Sequence, residues 1–413
     1  MRLIAALLAV LMTATVLQAA PLQLRRGVSL HGWLNWSPLG ADGRYRWPPY
    51  RTVEQWLGSD RPLTDWPDGN EFKRIRALGF DFVRLTVDPG PILDNDGARR
   101  TKVLEILSAA VRRLTAADLK VVFNLHGVSQ VPAYGMEMIY GGADSGGVVR
   151  YRAMVKQVAA MLARIGPDKV ALEPYNEPAY YPCDASGTED WQQIMADTVA
   201  DIRSVSTELA IVATGACGGS VTGLSDIDPA FDDANIYYSF HMYDPHAFTH
   251  QRSDEPDGFF SGLPFPASNG SPEKTIRDLR ERMAMAGLSR LKEIANVARA
   301  QDRIDEYFKE NWDDAALEAR IGEAMEWARQ HAIPPSRLFM GEFGVIRMSL
   351  DGRSGAYDAD RLRYLQTARR TAERNGIAWA IWEYSNPYGM TVIEPQGPAV
   401  PDEQLLQALG LSQ

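Results

Sequence analysis

The sequence predicts a (β/α)8 barrel with extended βα loops, and three observations point to that fold class. Short apolar runs alternate with longer amphipathic segments along most of the chain, a pattern that favours parallel βα units. Eight such runs are present, which is the number that closes a barrel of this kind. Runs such as 121–123 and 378–382 are apolar on both faces, as expected of strands covered by helices.

The predicted elements follow one another in a regular order. The strands are expected at 27–30, 80–87, 120–125, 170–175, 211–215, 235–240, 337–341 and 378–383. Helical patterns lie between them at 71–78, 102–117, 149–165, 191–206 and 359–375. Residues 244–331 are too long for one barrel connection and predict an insertion before the seventh strand. It has a Pro/Gly/Ser-rich rim at 244–272 and about two helices over 275–331. A last loop and a closing helix are expected at 392–413.

The first twenty residues have the pattern of a signal peptide. Arg2 precedes an apolar run over 3–16, and the segment closes on Ala19 and Ala20. An uncleaved membrane anchor is the alternative, although the run is short for a bilayer span. We therefore expect export to the periplasm or the medium, with residues 21–413 forming one catalytic domain and no later membrane span.

Composition narrows the class of partner. The formal charge of −10 argues against a nucleic-acid surface and is compatible with a neutral polymer. Cys183 and Cys217 each follow a predicted strand end, and they form either a disulfide or two separate thiols. The six histidines show no metal-ligand spacing, so we expect no metal and no cofactor. A monomer is expected.

Residue types that carry chemistry accumulate at the predicted strand ends, which meet on one face of a barrel. They are Arg84, His126, Asn176, Glu177, His241, Tyr243, Glu342 and Trp382. Any one of these residues alone could serve packing or stability, but all of them at successive strand ends favour a site.

Two glutamates without a metal or nucleotide motif suit glycoside hydrolysis, in which one carboxyl protonates the leaving oxygen and the other attacks the anomeric carbon. Glu342, with Arg84 and Tyr243 near it, would be held ionised as the nucleophile. Glu177 would be the acid and base. Asn176 would form a hydrogen bond with a sugar 2-hydroxyl, and Trp382 would form the floor of the subsite that holds the reacting ring.

Five of the ten tryptophans fall within 31–69, a stretch that otherwise looks like a loop. Core packing could account for one or two of them, but the concentration favours a sugar-stacking surface. Trp33 and Trp36 are the residues we expect to bind substrate, and Trp47, Trp56 and Trp66 complete the set.

Together, Arg84, His126, Asn176-Glu177-Pro178, His241 with Tyr243, Glu342 in Gly-Glu-Phe-Gly, and Trp382 resemble the signature of family five glycoside hydrolases, the cellulase family. The resemblance covers about 28–386. It implies a (β/α)8 barrel, retention of configuration, Glu177 as acid and base and Glu342 as nucleophile. Carboxyl groups about 5 to 5.5 Å apart are also implied. Many relatives carry a tryptophan soon after the histidine that corresponds to His126. Here residues 127–134 lack one, so that subsite should be built differently.

The expected function is hydrolysis of a β-linked glucan by an endo-β-1,4-glucanase. The same site would also serve a β-mannanase, a β-1,3-glucanase or an exo-acting β-glucosidase. A non-catalytic carbohydrate-binding barrel is a more distant alternative, since both glutamates are present. A metal-dependent hydrolase would need paired ligand spacing, which His31, His126 and His241 lack.

Overall fold

A computed structural model describes residues 22–57, 70–179, 183, 189–229, 231, 233–253, 255–394 and 399–411. Eight parallel strands close into a barrel in the order β1-β10-β8-β6-β5-β4-β3-β2, which confirms the predicted fold class. The barrel strands are β1 (Arg26–Leu34), β2 (Phe82–Val87), β3 (Lys120–Leu125), β4 (Val170–Glu173), β5 (Ala210–Thr214), β6 (Ile236–Met242), β8 (Leu338–Phe343) and β10 (Ala378–Ile381). Two short strands, β7 (Phe260–Ser261) and β9 (Ser354–Gly355), pair outside the barrel. The predicted signal peptide lies outside the described residues.

Helices follow the strands and cover the barrel. They are α1 (Val53–Leu57), α2 (Glu71–Ala77), α3 (Gly90–Leu93), α4 (Gly97–Thr115), α5 (Gly146–Ala163), α6 (Trp191–Arg203), α7 (Val221–Ser225), α8 (His246–Thr249), α9 (Pro272–Met285), α10 (Arg290–Glu310), α11 (Asp314–Gln330), α12 (Asp358–Arg374) and α13 (Glu403–Ala408). Side-chain caps fix several of the starts, as where Ser145 accepts from Val148 N at α5 and Asp313 from Ala316 N at α11. Among the described helices, none combines the length and apolarity needed to cross a membrane.

Apolar side chains fill the barrel interior at its amino-terminal end. Leu22 and Leu24 join Phe82, Phe339 and other strand residues in a separate apolar cluster. The tip of the Phe82 ring lies against Gly27, where an added Cβ would stand 2.2 Å from the phenyl ring. Because side chains fill this end, the polar residues at the carboxyl ends of the strands are left as the lining of the opposite face.

Beyond its rim, the insertion contains three helices, where the sequence predicted about two over 275–331. Gly287, with φ of +73°, and Asn311, with φ of +53°, break the helical run into α9, α10 and α11. The last of these packs between α7 and α12 and takes the place of the ordinary barrel helix. The first two form the extra layer, and β7 joins the rim to the loop after β8 through its pairing with β9.

A disulfide joins Cys183 to Cys217 across 34 residues of sequence. It connects the loop after β4 to the loop after β5, beside the end of the strand that precedes Glu177. The loops on this side of the barrel mouth are therefore covalently linked.

Candidate active site

The strand-end residues surround a cavity of about 390 Å3 at the carboxyl face of the barrel. Its lining consists of His126, Glu177, Gly218, Ser220, His241, Tyr243, Asp244, His246, His250, Glu342 and Trp382. Six of the eight strand-end residues singled out from the sequence therefore line the cavity directly. Arg84 and Asn176 lie beneath it.

The six residues are His126, Glu177, His241, Tyr243, Glu342 and Trp382. They follow β3, β4, β6, β8 and β10, whose ends lie far apart in sequence. Barrel closure is what brings them together.

Arg84 is the charged centre of the site and is fully buried. Its guanidinium donates to both oxygens of Glu173, at 2.7 and 2.9 Å, and its Nη1 donates to Oε1 of Glu342 at 2.5 Å. Nη2 also donates to Oδ1 of Asn176 at 2.7 Å. A buried guanidinium bound in this way holds its partners in one geometry.

Glu342 has a donor on each carboxylate oxygen. Arg84 donates to Oε1, and the Tyr243 hydroxyl donates to Oε2 at 2.9 Å. His241 Nδ1 lies 3.7 Å from the same Oε2. Burial raises the pKa of Glu342, and the charges of His241 and Arg84 oppose that rise. In its carboxylate form, which is the form a nucleophile needs, Glu342 has a hydrogen-bond donor for each oxygen.

Glu177 has a different environment. Within the part of the chain that the structure describes, its one hydrogen bond is with His241 Nδ1, at 2.7 Å from Oε1. Its side chain is 40% exposed, so Oε2 is open to the cavity. Burial acts to raise the pKa of Glu177, but the hydrogen bond and charge of His241 outweigh it and lower the pKa. One carboxylate oxygen of Glu177 lies within 4.8 Å of one of Glu342.

His241 links the two glutamates. Burial acts to lower its pKa, but the charges of Glu342 and Glu177 outweigh burial and raise it. Its other ring nitrogen, Nε2, is buried without a hydrogen-bond partner among the described residues. The mobile proton of the site is therefore shared between His241 Nδ1 and Glu177.

Asn176 and His126 form the polar side of the cavity. Because Arg84 can only donate, the Asn176 amide oxygen must face it, which turns the Asn176 nitrogen towards His126 Nε2, 3.5 Å away. Burial lowers the pKa of His126 well below its usual value, so its imidazole is neutral. The Asn176 amide thereby presents N–H donors beside the two glutamates.

Aromatic rings lie next to His126. Trp382 lies 5.8 Å from the His126 ring and 4.7 Å from the His31 ring. Trp36 is 47% exposed and donates its indole N–H to His31 Nε2 at 3.0 Å. Its φ of +48° is rare for a bulky residue, and Asn35 Oδ1 holds its backbone N–H at 2.8 Å. Trp36 is thus an exposed ring in a fixed position.

The other tryptophans of residues 31–69 differ in how far they are exposed. Trp33 was expected to bind substrate, but it is only 3% exposed and packs against Trp56 and Phe72, so that expectation is wrong. Trp47 is 46% exposed beneath the Arg99 guanidinium. Trp66 lies outside the described residues. Burial within β1 explains the error, since the strand extends to Leu34 rather than ending near Leu30.

Several site residues were not anticipated. Glu173 is the buried partner of Arg84, and an acidic residue inside an apolar strand was the signal for it. His246 and His250 stack at 4.0 Å and line the cavity. Burial lowers the pKa of His250 to about 3, so this ring is neutral. They come from the short α8, which the rim sequence did not predict.

The same cluster could bring three ligand atoms to one metal ion, because Glu177, His241 and Glu342 lie within 4.8 Å of one another. Its donor chemistry is unfavourable for a cation, however. Both oxygens of Glu342 already accept hydrogen bonds, and a permanent guanidinium stands 2.5 Å away. The arrangement suits proton transfer and nucleophilic attack better than metal binding.

A parallel barrel with two glutamates facing each other at its carboxyl end, one of them bound by a buried arginine, defines the class as a barrel glycoside hydrolase. Residues 46–387 match the model of the cellulase family, glycosyl hydrolase family 5. The chain belongs to this family, whose members are glycoside hydrolases that act with retention of configuration.

Known relatives agree with that family. Endoglucanase 3 of Fibrobacter succinogenes is 29% identical over 258 residues, which are 62% of this chain and 35% of that protein. Cellodextrinase A of Ruminococcus flavefaciens is 25% identical over 195 residues, or 46% and 55% of the two chains. The chain thus spans about a third to a half of the length of these relatives.

Solved structures confirm the fold. A hyperthermophilic endo-β-1,4-glucanase in complex with substrate has a TM-score of 0.63 at 19% identity, over 94% of this chain and 97% of that chain.

Proposed function

We propose that this chain is an exported endo-β-1,4-glucanase in which Glu342 is the nucleophile and Glu177 is the acid and base. The observation that carries the division of roles is the difference between the two carboxyl groups. Both oxygens of Glu342 accept hydrogen bonds, whereas Glu177 keeps one oxygen open to the cavity. One oxygen of Glu177 lies within 4.8 Å of one of Glu342, a short separation that supports double displacement, since the carboxyl groups of inverting enzymes stand about 6.5 to 9.5 Å apart.

In the first step, a Glu342 oxygen attacks the anomeric carbon of the bound sugar. The glycosidic bond breaks, and its oxygen takes the proton from Glu177 as it leaves. The N–H of Asn176 would donate to the sugar 2-hydroxyl, and Trp382 would pack on the apolar face of the reacting ring. The product of this step is a glycosyl ester on Glu342.

In the second step, Glu177 takes a proton from water, and the water oxygen attacks the anomeric carbon. The ester bond to Glu342 breaks and the carboxylate is restored. His241 supports both steps because its Nδ1 lies 2.7 Å from Glu177 and can hold the shared proton in the free site. Substrate that covers the cavity disfavours the ion pair and moves that proton onto Glu177.

The glucan substrate is supported by aromatic geometry and by the relatives. Trp36 and Trp382 are joined through the His31 ring, so two platforms lie side by side on one flank of the cavity. Platforms of this kind stack on the flat faces of equatorially substituted sugars. The names of both relatives refer to enzymes of cellulose or its fragments.

The test is a hydrolysis panel of β-1,4-glucan, mixed-linkage glucan, β-1,3-glucan and mannan, with products separated by length. We expect mixed short oligosaccharides from the β-1,4-linked substrates. Monosaccharide as the first product would indicate an exo-acting enzyme instead. Release from mannan alone would overturn the assignment of the sugar, and release from β-1,3-glucan alone would overturn the assignment of the linkage.

The nucleophile can be tested separately. Replacing Glu342 by Gln removes the attacking carboxylate, so we expect turnover of an aryl β-cellobioside to fall by about five orders of magnitude or more. Glu318→Gln, on the outer helix α11, is the matched control and should leave turnover unchanged. Activity of Glu342→Gln near that of the parent would refute the assignment.

Export is part of the proposal and rests on the predicted signal peptide at 1–20, with residues 21–413 as one mature domain. The disulfide between Cys183 and Cys217 supports an oxidising compartment. The intact mass of the protein recovered from the periplasm and from the medium shows whether the protein is exported and whether residues 1–20 are removed. A product that retains residues 1–20 would refute cleavage.

A further inference from the structure

A second cavity of the described residues is larger than the catalytic one. A cleft of about 900 Å3 lies beside it, between the rim that follows β6, the loop after β8 and the loop after β10. We define the rim cleft by six of its lining residues, namely Arg252, Arg347, Leu350, Arg353, Tyr388 and Glu394. None of these residues takes part in the chemistry described above.

The rim cleft is separated from the catalytic cavity by backbone. Ile346 N donates to Thr249 O at 2.9 Å, and Arg347 N donates to Gly389 O at 3.1 Å, which closes the wall between the two spaces. His250 lines the catalytic side, while Arg252, two residues later, lines the cleft. The cleft is therefore a separate site rather than an extension of the cavity.

The walls are rigid enough to be a preformed site. The pairing of β7 with β9 places Ser354 on the cleft wall. Arg353 Nη1 donates to Pro256 O at 2.9 Å, and Arg347 Nη1 forms an ion pair with Glu394 at 3.0 Å. Ligand sites are generally concave and formed in advance in this way.

The charge of the lining favours a neutral ligand rich in hydroxyl groups. Three guanidinium groups and four carboxylates face the cleft, the latter from Glu255, Asp351, Asp358 and Glu394. An anionic or cationic ligand would be repelled by one of the two sets, whereas hydroxyl groups can bond to both. Among the described residues the Arg252 side chain forms no ion pair with a carboxylate, and it lines the cleft beside the Tyr388 ring.

The apolar part of the lining fits a sugar ring. Tyr388 is 70% exposed and Leu350 is 96% exposed, and the Arg252 guanidinium lies 6.0 Å from the Tyr388 ring centre. An exposed aromatic ring flanked by planar hydrogen-bonding groups matches a pyranose, which has an apolar face and a hydroxylated edge.

We propose that the rim cleft is a second binding site for a neutral β-glucan chain, which holds the polymer beside the catalytic cavity. The identity of the ligand rests on the proposed function, because the polymer bound would be the one that the enzyme cleaves. Tyr388 supplies the stacking surface and Arg252 supplies hydrogen-bond donors.

The experiment measures binding of the full mature chain, with Glu342→Gln to prevent cleavage, to hydroxyethylcellulose by affinity electrophoresis. Loss of one stacking contact is expected to weaken binding by about three- to tenfold in Tyr388→Ala, and Arg252→Ala should also weaken it. Leu291→Ala removes an apolar side chain that is 81% exposed on α10 and should bind like the parent.

Hydrolysis of an aryl β-cellobioside by the same variants, with Glu342 restored, separates the two proposals. Unchanged aryl-glycoside turnover with weaker polymer binding supports a separate site. Equal polymer binding by the parent and Tyr388→Ala overturns the rim-cleft proposal while the catalytic assignment stands. Absence of both aryl-glycoside and glucan hydrolysis by the parent overturns the proposed function instead.

Discussion

Arg84 shows how one residue can hold a catalytic geometry. It is buried between Glu173 and Glu342, and it keeps the Asn176 amide in one orientation. Breaking a buried ion pair of this kind costs about 3 to 5 kcal/mol, because the remaining charges lose their compensation. Replacing Arg84 would therefore test folding rather than catalysis, and smaller changes at its neighbours are more informative.

Tyr243→Phe removes a single donor from Glu342 and leaves the ring in place. If the hydroxyl stabilises charge that changes during the reaction, kcat/KM should fall by about 10²-fold. The measurement is steady-state turnover of an aryl β-cellobioside.

The unfolding temperature of Tyr243→Phe serves as its control. A similar temperature with reduced turnover supports the assigned role, whereas full activity would show that Arg84 alone is sufficient to hold Glu342.

His241→Asn tests the shared proton through the pH dependence of kcat/KM. In the parent the pKa of His241 is raised. The hydrogen-bonded pair of His241 and Glu177 therefore keeps its shared proton to a higher pH than Glu177 alone would. Without His241 the alkaline limb should move to lower pH. The acidic limb should move to higher pH, because His241 no longer opposes the burial that raises the pKa of Glu342.

The pH range over which His241→Asn is active should therefore be narrower than that of the parent at both its acidic and its alkaline end. A profile with the parent's limbs and only a lower maximum would mean that His241 has a purely structural role.

At the scale of elements, the contact between β1 and β2 requires a glycine at position 27. Gly27→Ala would place a methyl group 2.2 Å from the Phe82 ring, and overpacking of this kind should cost about 1 to 3 kcal/mol of unfolding free energy. Gly322→Ala, in α11 with open space around it, should instead stabilise by about 0.5 to 1 kcal/mol. Urea unfolding of both variants measures the contrast.

The elements were the part of the fold that the sequence predicted best. Apolar runs at regular spacing found every barrel strand, because parallel strands are buried on both faces and differ clearly from amphipathic helices. Local pattern could not show that β1 continues to Leu34, which buries Trp33 and leaves Trp36 exposed. It also could not distinguish two long helices from three in the insertion, where Asn311 adopts a left-handed conformation.

At the scale of the whole molecule, the disulfide between Cys183 and Cys217 closes a loop of 34 residues. The chain-entropy model gives about 3 to 4 kcal/mol of stabilisation for a loop of this length. Cys183→Ser with Cys217→Ser should therefore lower the unfolding temperature, as followed by circular dichroism. Adding a reductant to that double variant should have no further effect.

The site is also a property of the whole molecule, which limits what the sequence alone could say of it. Strand-end position was enough to collect Glu177, Glu342 and their neighbours, because barrel closure brings every strand end to one face. It was not enough to pair Arg84 with Glu173, since such a pair depends on side-chain direction inside the barrel. The rim cleft depends on three loops that meet only in the folded chain.

The pairing of β7 with β9 has a consequence for how this enzyme could be recombined with its relatives. It bonds the rim after β6 to the loop that follows the strand of Glu342, through Phe260 with Ser354 and Ser261 with Gly355. A chimaera that imports the insertion alone would leave one of these two strands unpaired. A joint exchange of 244–331 and 344–357 keeps the pair intact. These two separate stretches of sequence should therefore be exchanged together.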